Sequence, residues 1–231
     1  MNIYSISDLH LSINSNKPMD IFGPVWDNAF EKIKQDWEEK VKDDDIVLLC
    51  GDLSWAMKLE DAKEDIMFLD KLKGKKIIIK GNHDYWWQSI TRLRNILPRD
   101  FFAIQNDAVK IGNYVFFGTR GWLIPEGKQK SEENLKIFNR EVERLKLSVS
   151  CAKKLQNEGD ILICLTHFPP FNSKLDDNPF TEILESNEVS CVIFGHLHSN
   201  KGGYRLKTTK NKVDYFLTSC DLVDNKLIKI K

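Results

Sequence analysis

Net charge is missing from this 231-residue sequence, where 34 Lys+Arg balance 34 Asp+Glu. A neutral total argues against a strongly basic nucleic-acid binder, so a nucleic-acid partner is possible but not favoured. No apolar run approaches the length of a membrane span, which argues against a membrane partner. There is no CxxC pair. The five cysteines (Cys50, Cys151, Cys164, Cys191, Cys220) are scattered and odd in number, which speaks against a disulfide framework and for buried, reduced thiols. The first residues, Met1 to Asp8, lack a basic segment followed by a long apolar one. The expected location is therefore cytoplasmic. No repeat and no Gly/Ser-rich linker divides the chain, and its length suits one domain over residues 1–231.

What is present is an alternation of short apolar runs with longer amphipathic ones. Strands are predicted at Asn2–Ser7, Asp45–Cys50 and Lys75–Lys80, and helices at Pro24–Lys42, Leu59–Leu72 and Trp87–Leu97. In the first helix Val25, Ala29, Ile33, Trp37 and Val41 recur every four residues on one face. Farther on, Ala108–Ile111 and Tyr114–Gly118 flank Gly112-Asn113 as a hairpin, and Ser131–Asn157 reads as a long charged helix. Strands at Asp160–Thr166 and Ser190–Phe194 flank a short helix near Phe180–Glu185, and Tyr204–Thr209 with Lys212–Thr218 forms a second hairpin. Parallel-type βα units succeeded by hairpins predict an α/β fold of two stacked, mixed sheets with helices outside.

The chemistry lies just beyond the strands. They run into Asp8-Leu9-His10, Gly51-Asp52, Gly81-Asn82-His83-Asp84, His167 and Gly195-His196-Leu197-His198. Ligands gather at the carboxyl ends of strands in open α/β sheets, so these segments can converge. All five histidines of the chain lie in them. One histidine after a strand is usually structural; five of five, mostly beside a carboxylate or another histidine, reverse that weighting. Imidazole and carboxylate suit transition metals without any cysteine. The neutral carbonyl oxygen of Asn82 can coordinate without adding charge.

This ordered set resembles the calcineurin-like metallophosphoesterase superfamily, whose pattern is DxH, GD, GNH with D or E, H, and GHxH. The resemblance spans residues 8 to 198 and implies a two-sheet β-sandwich flanked by helices, an αββα arrangement. It also implies two divalent or trivalent metal ions (Mn, Fe, Zn, Co or Ni) bridged by Asp52. Asp8, His10 and His198 would complete the first ion's ligands, and Asn82, His167 and His196 the second's. The implied activity is hydrolysis of a small phosphate ester, by a phosphatase or phosphodiesterase in which a bridging hydroxide attacks phosphorus in line. His83 would face the substrate as general acid, with Asp84 fixing its ring. A phosphoesterase-like scaffold without activity, or a nuclease of the same superfamily, are the alternatives.

Three features stand apart from the ligand set. Arg120, after an apolar strand, is a candidate for binding the substrate phosphate. Trp55, Tyr85, Trp86, Trp87 and Trp122 crowd the expected mouth, as stacking surfaces or as packing. The long connection Leu11–Trp26 comes directly after two proposed ligands and can serve as a lid or as an ordinary surface loop.

Overall fold

The computed structural model describes residues 1–13, 17, 19–127, 130–198 and 204–231. The front half alternates strand and helix. It runs β1 (Ile3–Ser5), α1 (Ala29–Lys40), β2 (Ile46–Leu49), α2 (Leu59–Asp70), β3 (Lys75–Ile78), α3 (Ile90–Ile96) and β4 (Phe101–Ala103). The second half begins with the hairpin β5 (Ala108–Ile111) and β6 (Tyr114–Thr119). It continues through α4 (Glu132–Leu155), β7 (Ile161–Thr166), α5 (Pro179–Ser186), β8 (Cys191–Phe194), β9 (Lys207–Lys210), β10 (Val213–Leu217) and β11 (Ile228–Lys229).

These strands make two sheets, in the orders β11-β1-β2-β3-β4 and β5-β6-β7-β8-β10-β9. The strands β1 to β4 are mutually parallel, as are β6, β7, β8 and β10, while β11, β5 and β9 pair antiparallel at the edges. Side chains alternate across each strand. Ile46, Leu48 and Ile77 meet Phe116, Ile163 and Ile193 of the other sheet in a central core. The intervening Val47, Leu49 and Ile78 pack with Ile33, Trp37, Ile66 and Leu93 from α1, α2 and α3. On the far side Phe117, Cys164 and Val192 pack with Phe138, Leu145 and Leu184 from α4 and α5. The result is the expected two-sheet sandwich between helical layers.

Local departures have local causes. The predicted helix from Pro24 begins as a 3-10 turn, Pro24–Trp26, and is interrupted at Asn28, whose φ of 52° is incompatible with helix continuation. The helix predicted from Trp87 starts at Ile90, because the Ser89 hydroxyl accepts the Arg92 amide and caps it there. Strands β4 and β11 are additions, three and two residues long, too short to carry a period. All five cysteines are free and four are buried. Among the described residues no helix is long and apolar enough to cross a membrane.

Candidate metal centre

Six of the eight parallel strands, β1, β2, β3, β7, β8 and β10, run into segments that meet at one edge of the sandwich. The two sheets are sewn together at this edge: the Ser7 amide donates to the Thr218 carbonyl at 2.8 Å and the Cys220 amide to the Ser7 carbonyl at 2.9 Å. Within the first sheet the Asp8 amide donates to Gly51 and the His10 amide to Asp52. These bonds hold three loops in register just beyond their strands.

The backbone conformations are unusual. Asp8, His10, Asp52 and His196 have φ of 59°, 47°, 51° and 70°. Side chains other than Gly, Asn and Asp rarely adopt this region, and such strain concentrates at functional sites. Glycine is required where these turns touch. A Cβ on Gly81 would run into the Asp52 carboxylate, and one on Gly195 into that of Asp8.

The side chains then converge. Ligand atoms of Asp8, His10 and His198 all lie within 4.8 Å of one another, as do those of Asp8, Asp52 and His167. His10 Nε2 is 3.4 Å from His198 Nε2. Asp52 Oδ2 lies 3.4 Å from His167 Nε2 and 3.9 Å from His10 Nε2. Asn82 Oδ1 lies 2.7 Å from His167 Nε2 and 2.9 Å from His196 Nδ1. All seven candidate metal ligands read from the sequence therefore share one cluster. Asp8, His10, Asp52 and His167 are buried, and His198 is the most open.

The donor set fits metal ions. His167 Nδ1 donates to the Cys50 carbonyl at 2.9 Å, which turns Nε2 toward Asn82 and Asp52. With His167 neutral, Asn82 Oδ1, His167 Nε2 and an Asp52 oxygen are lone-pair atoms aimed at one another, an arrangement that a cation relieves. Burial lowers both His10 and His196 to about 3, against the pull of Asp52, so these rings are neutral near pH 7 and able to coordinate. His167 behaves differently: burial lowers it, but the Asp52 carboxylate raises it further, to a net upward shift. Asp52 is correspondingly held below the usual carboxylate range, although burial alone would raise it. A cation between the two would take over the proton's task of neutralising a buried carboxylate. Burial pushes Asp8 up to about 6, opposed by His167 and His198.

The sequence reading missed Asp221. It lies four residues beyond β10, whose parallel pairing with β8 delivers it to the same edge. Its Oδ1 is 3.0 Å from His198 Nδ1. The available signal was the rule already applied to five other strands; β10 escaped it because a hairpin strand suggests antiparallel surroundings.

Asp84 does not touch the ring of His83, contrary to the role the resemblance implied. Its carboxylate accepts from the amides of Asp52, Leu53, Ser54 and Gly81 and from Trp86 Nε1, at 2.7–3.3 Å. It ties the GD and GNHD loops together. Burial and the Asp52 charge raise its pKa to about 6, while those donors oppose the rise. Among the described residues no hydrogen bond joins it to the His83 imidazole. His83 is held through its backbone, whose amide donates to Asp52 Oδ1 at 2.8 Å. Its ring stands 4.8 Å from Trp55 and 5.8 Å from His10.

A chamber of about 580 Å³ opens in front of His10, His83 and His198, walled by Trp26, Trp55 and Phe22 among others. Trp55 stacks on His10 with centroids 4.6 Å apart. Met19, Phe22, Val25 and Trp26 of the long connection thus wall the chamber; its residues 14–16 and 18 lie outside the described ones. Trp86 and Trp87 are buried packing. Arg120 is not in the chamber wall. It lines a separate pocket beside Lys80 and Glu141, with its guanidinium over Trp122.

Known proteins agree with this architecture. The chain resembles the crystal structure of TT1561 of Thermus thermophilus, with a TM-score of 0.60 at 15% identity, covering 99% of this chain and 97% of that one. It also resembles the protein of unknown function AQ665 from Aquifex aeolicus, with a TM-score of 0.51 at 16% identity, covering 99% and 95%. Comparison with curated proteins gives no match. The family model described as calcineurin-like phosphoesterase matches residues 1–200. With the strand-end cluster in place, the chain belongs to the calcineurin-like phosphoesterase family.

Proposed function

We propose that this protein hydrolyses small phosphate esters with two transition-metal ions of the Mn, Fe, Zn, Co or Ni kind. Asp8, His10 and His198 would hold one ion, Asn82, His167 and His196 the other, and Asp52 would serve both. The observation that carries this reading is the position of Asp52, whose Oδ2 faces His10 on one side and His167 on the other. A carboxylate so placed offsets the repulsion between neighbouring cations. When bound, the ions supply positive charge for the phosphoryl oxygens and acidify a water enough for it to attack phosphorus.

The chain's own groups do the rest. His83 sits at the boundary between the ligand cluster and the chamber, placed to donate to the oxygen that leaves phosphorus. The chamber receives the group esterified to that oxygen, and its largely apolar walls favour an aryl or alkyl substituent over a heavily hydrogen-bonding one. Free thiols throughout suit a reducing compartment, in keeping with a cytoplasmic location.

The test is to load metal-free protein with each ion and follow hydrolysis of p-nitrophenyl phosphate and bis-p-nitrophenyl phosphate. Turnover should depend on metal. Asp52→Asn should lose metal and activity together, whereas His83→Asn should keep metal and lose about 10²–10⁴ in rate. Folded, metal-loaded protein that cleaves neither ester would sink the hydrolase reading and leave the non-catalytic scaffold.

A further inference from the structure

Between the β3–α3 loop, residues 104–106, the end of β6 and the middle of α4 lies a pocket of about 190 Å³. Four cations line it: Lys80, Arg120, Arg140 and Arg144. One anion, Glu141, faces them, leaving a local excess of three positive charges on a chain whose total is zero.

That anion is already committed. Glu141 is fully buried; Oε1 accepts from Arg144 Nη1 at 2.5 Å, and Oε2 from the Thr119 hydroxyl at 2.5 Å. Arg120 reaches Oε1 only at 3.7 Å, and its Nε is buried with no hydrogen-bond partner. Among the described residues neither Lys80 nor Arg140 makes an ion pair. Gln105 adds a neutral donor: its Oε1 accepts from Trp87 Nε1 at 2.7 Å, which leaves its amide nitrogen for another partner. The Arg120 guanidinium also lies over the Trp122 ring, 4.8 Å from its centroid, a cation–π contact that helps hold it in place. Two unpaired cations, Lys80 and Arg140, held around a concave space with the loosely paired Arg120 and its orphaned N–H, are what an oxyanion satisfies.

We propose that this pocket binds a phosphate-class oxyanion at a second site, distinct from the metal centre. Its volume is below the 300–1,000 Å³ usual for drug-sized ligands, so it takes a single phosphoryl group rather than a nucleotide. The anion is either free phosphate or a second phosphoryl group of a bound substrate. The wall is shared with the metal centre: the Arg120 carbonyl accepts the amides of both His167 and Phe168 at 3.0 Å, and Lys80 stands two residues before Asn82. Occupancy therefore bears on two proposed metal ligands. The proposal does not require the protein to be a hydrolase.

The experiment measures inorganic phosphate binding by calorimetry on chelator-treated protein, in which the metal centre holds no metal ion for phosphate to bind, at constant ionic strength. One site should appear. Arg140→Glu, at an exposed α4 position, should weaken it tenfold or more, and Lys80→Gln by a smaller factor. No phosphate binding to the chelated wild type, or equal binding by folded Arg140→Glu, overturns the proposal. On metal-loaded protein, Arg140→Glu should raise KM only for esters bearing a second phosphoryl group if the source is substrate. If the source is free phosphate, KM should stay unchanged for every ester while the calorimetric site is lost.

Discussion

Asp221 Oδ1 lies 3.0 Å from Nδ1 of His198, and the other nitrogen of that ring faces Asp8 Oδ1 at 3.9 Å. The carboxylate fixes the tautomer in which Nε2 carries the lone pair, and it raises the ring's basicity against the effect of burial. His198 is the most open of the candidate ligands, so it gains most from such a brace. Asp221→Ala should weaken metal binding by about 10–100-fold, read by competition with a chromophoric chelator. An affinity equal to wild type would show that His198 is oriented without Asp221.

Asp84 is expected to be a stability residue. Five N–H groups from two loops end on its carboxylate, and Asp84→Asn turns one acceptor oxygen into a donor facing them. Leaving buried amides unpaired costs about 1–3 kcal/mol each, so metal-free Asp84→Asn should lose roughly 2–5 kcal/mol in urea unfolding. If unfolding were unchanged and only turnover fell, the ring-orienting role would return.

How far the sequence could be read depends on where the information resides. The GD, GNHD and GHxH segments are legible because each is short, local and directly beyond an apolar strand. The two-sheet architecture comes from the same alternation. Asp84 was misjudged because four of its five donors are backbone amides, which leave no trace in side-chain identity, and neighbouring His83 offered a ready substitute. Asp221 has no motif around it, and its partner His198 is 23 residues away. The positive φ angles at Asp8, His10, Asp52 and His196 are set by loop-to-loop hydrogen bonds, which no sequence window contains. Strand β11, two residues long, pairs with the edge of β1, a long-range contact that its own sequence does not signal.

Stability should also respond to acid through Asp45, far from the ligand cluster. Its nearly buried carboxylate accepts the Asn2 amide at 2.6 Å and the Lys42 amide at 3.0 Å, tying the chain start to the α1–β2 connection. Burial raises its pKa, but these bonds overcome that and hold it below the ordinary 3.8. A depressed folded value stabilises the fold above the ordinary pKa, and that contribution disappears as pH falls through the lower folded value. Asp45→Asn should therefore be less stable than wild type at pH 7, with the gap closing as pH falls below 3.8. A gap independent of pH would mean that the carboxylate's charge is not what stabilises.

Phe22 offers the cleanest access to the chamber, because it lines the wall yet is 65% exposed and stacks on none of the ligand histidines. Trp55 is less suitable, since its contact with His10 would mix a change of chamber with a change of metal site. Phe22→Asp puts a charge where the substituent of the ester is expected to rest. Contact with one apolar side chain is worth about 1.5–3 kcal/mol when complete. With Phe22 only partly covered, the low end applies, roughly tenfold in kcat/KM. The loss should appear mainly in KM, because contacts remote from phosphorus persist from ground state to transition state. It should be larger for bis-p-nitrophenyl phosphate than for methyl p-nitrophenyl phosphate, whose second group is too small to reach the wall. Equal losses for both diesters would mean that Phe22→Asp acts through the field of its charge on the metal centre, and that the substituent rests elsewhere.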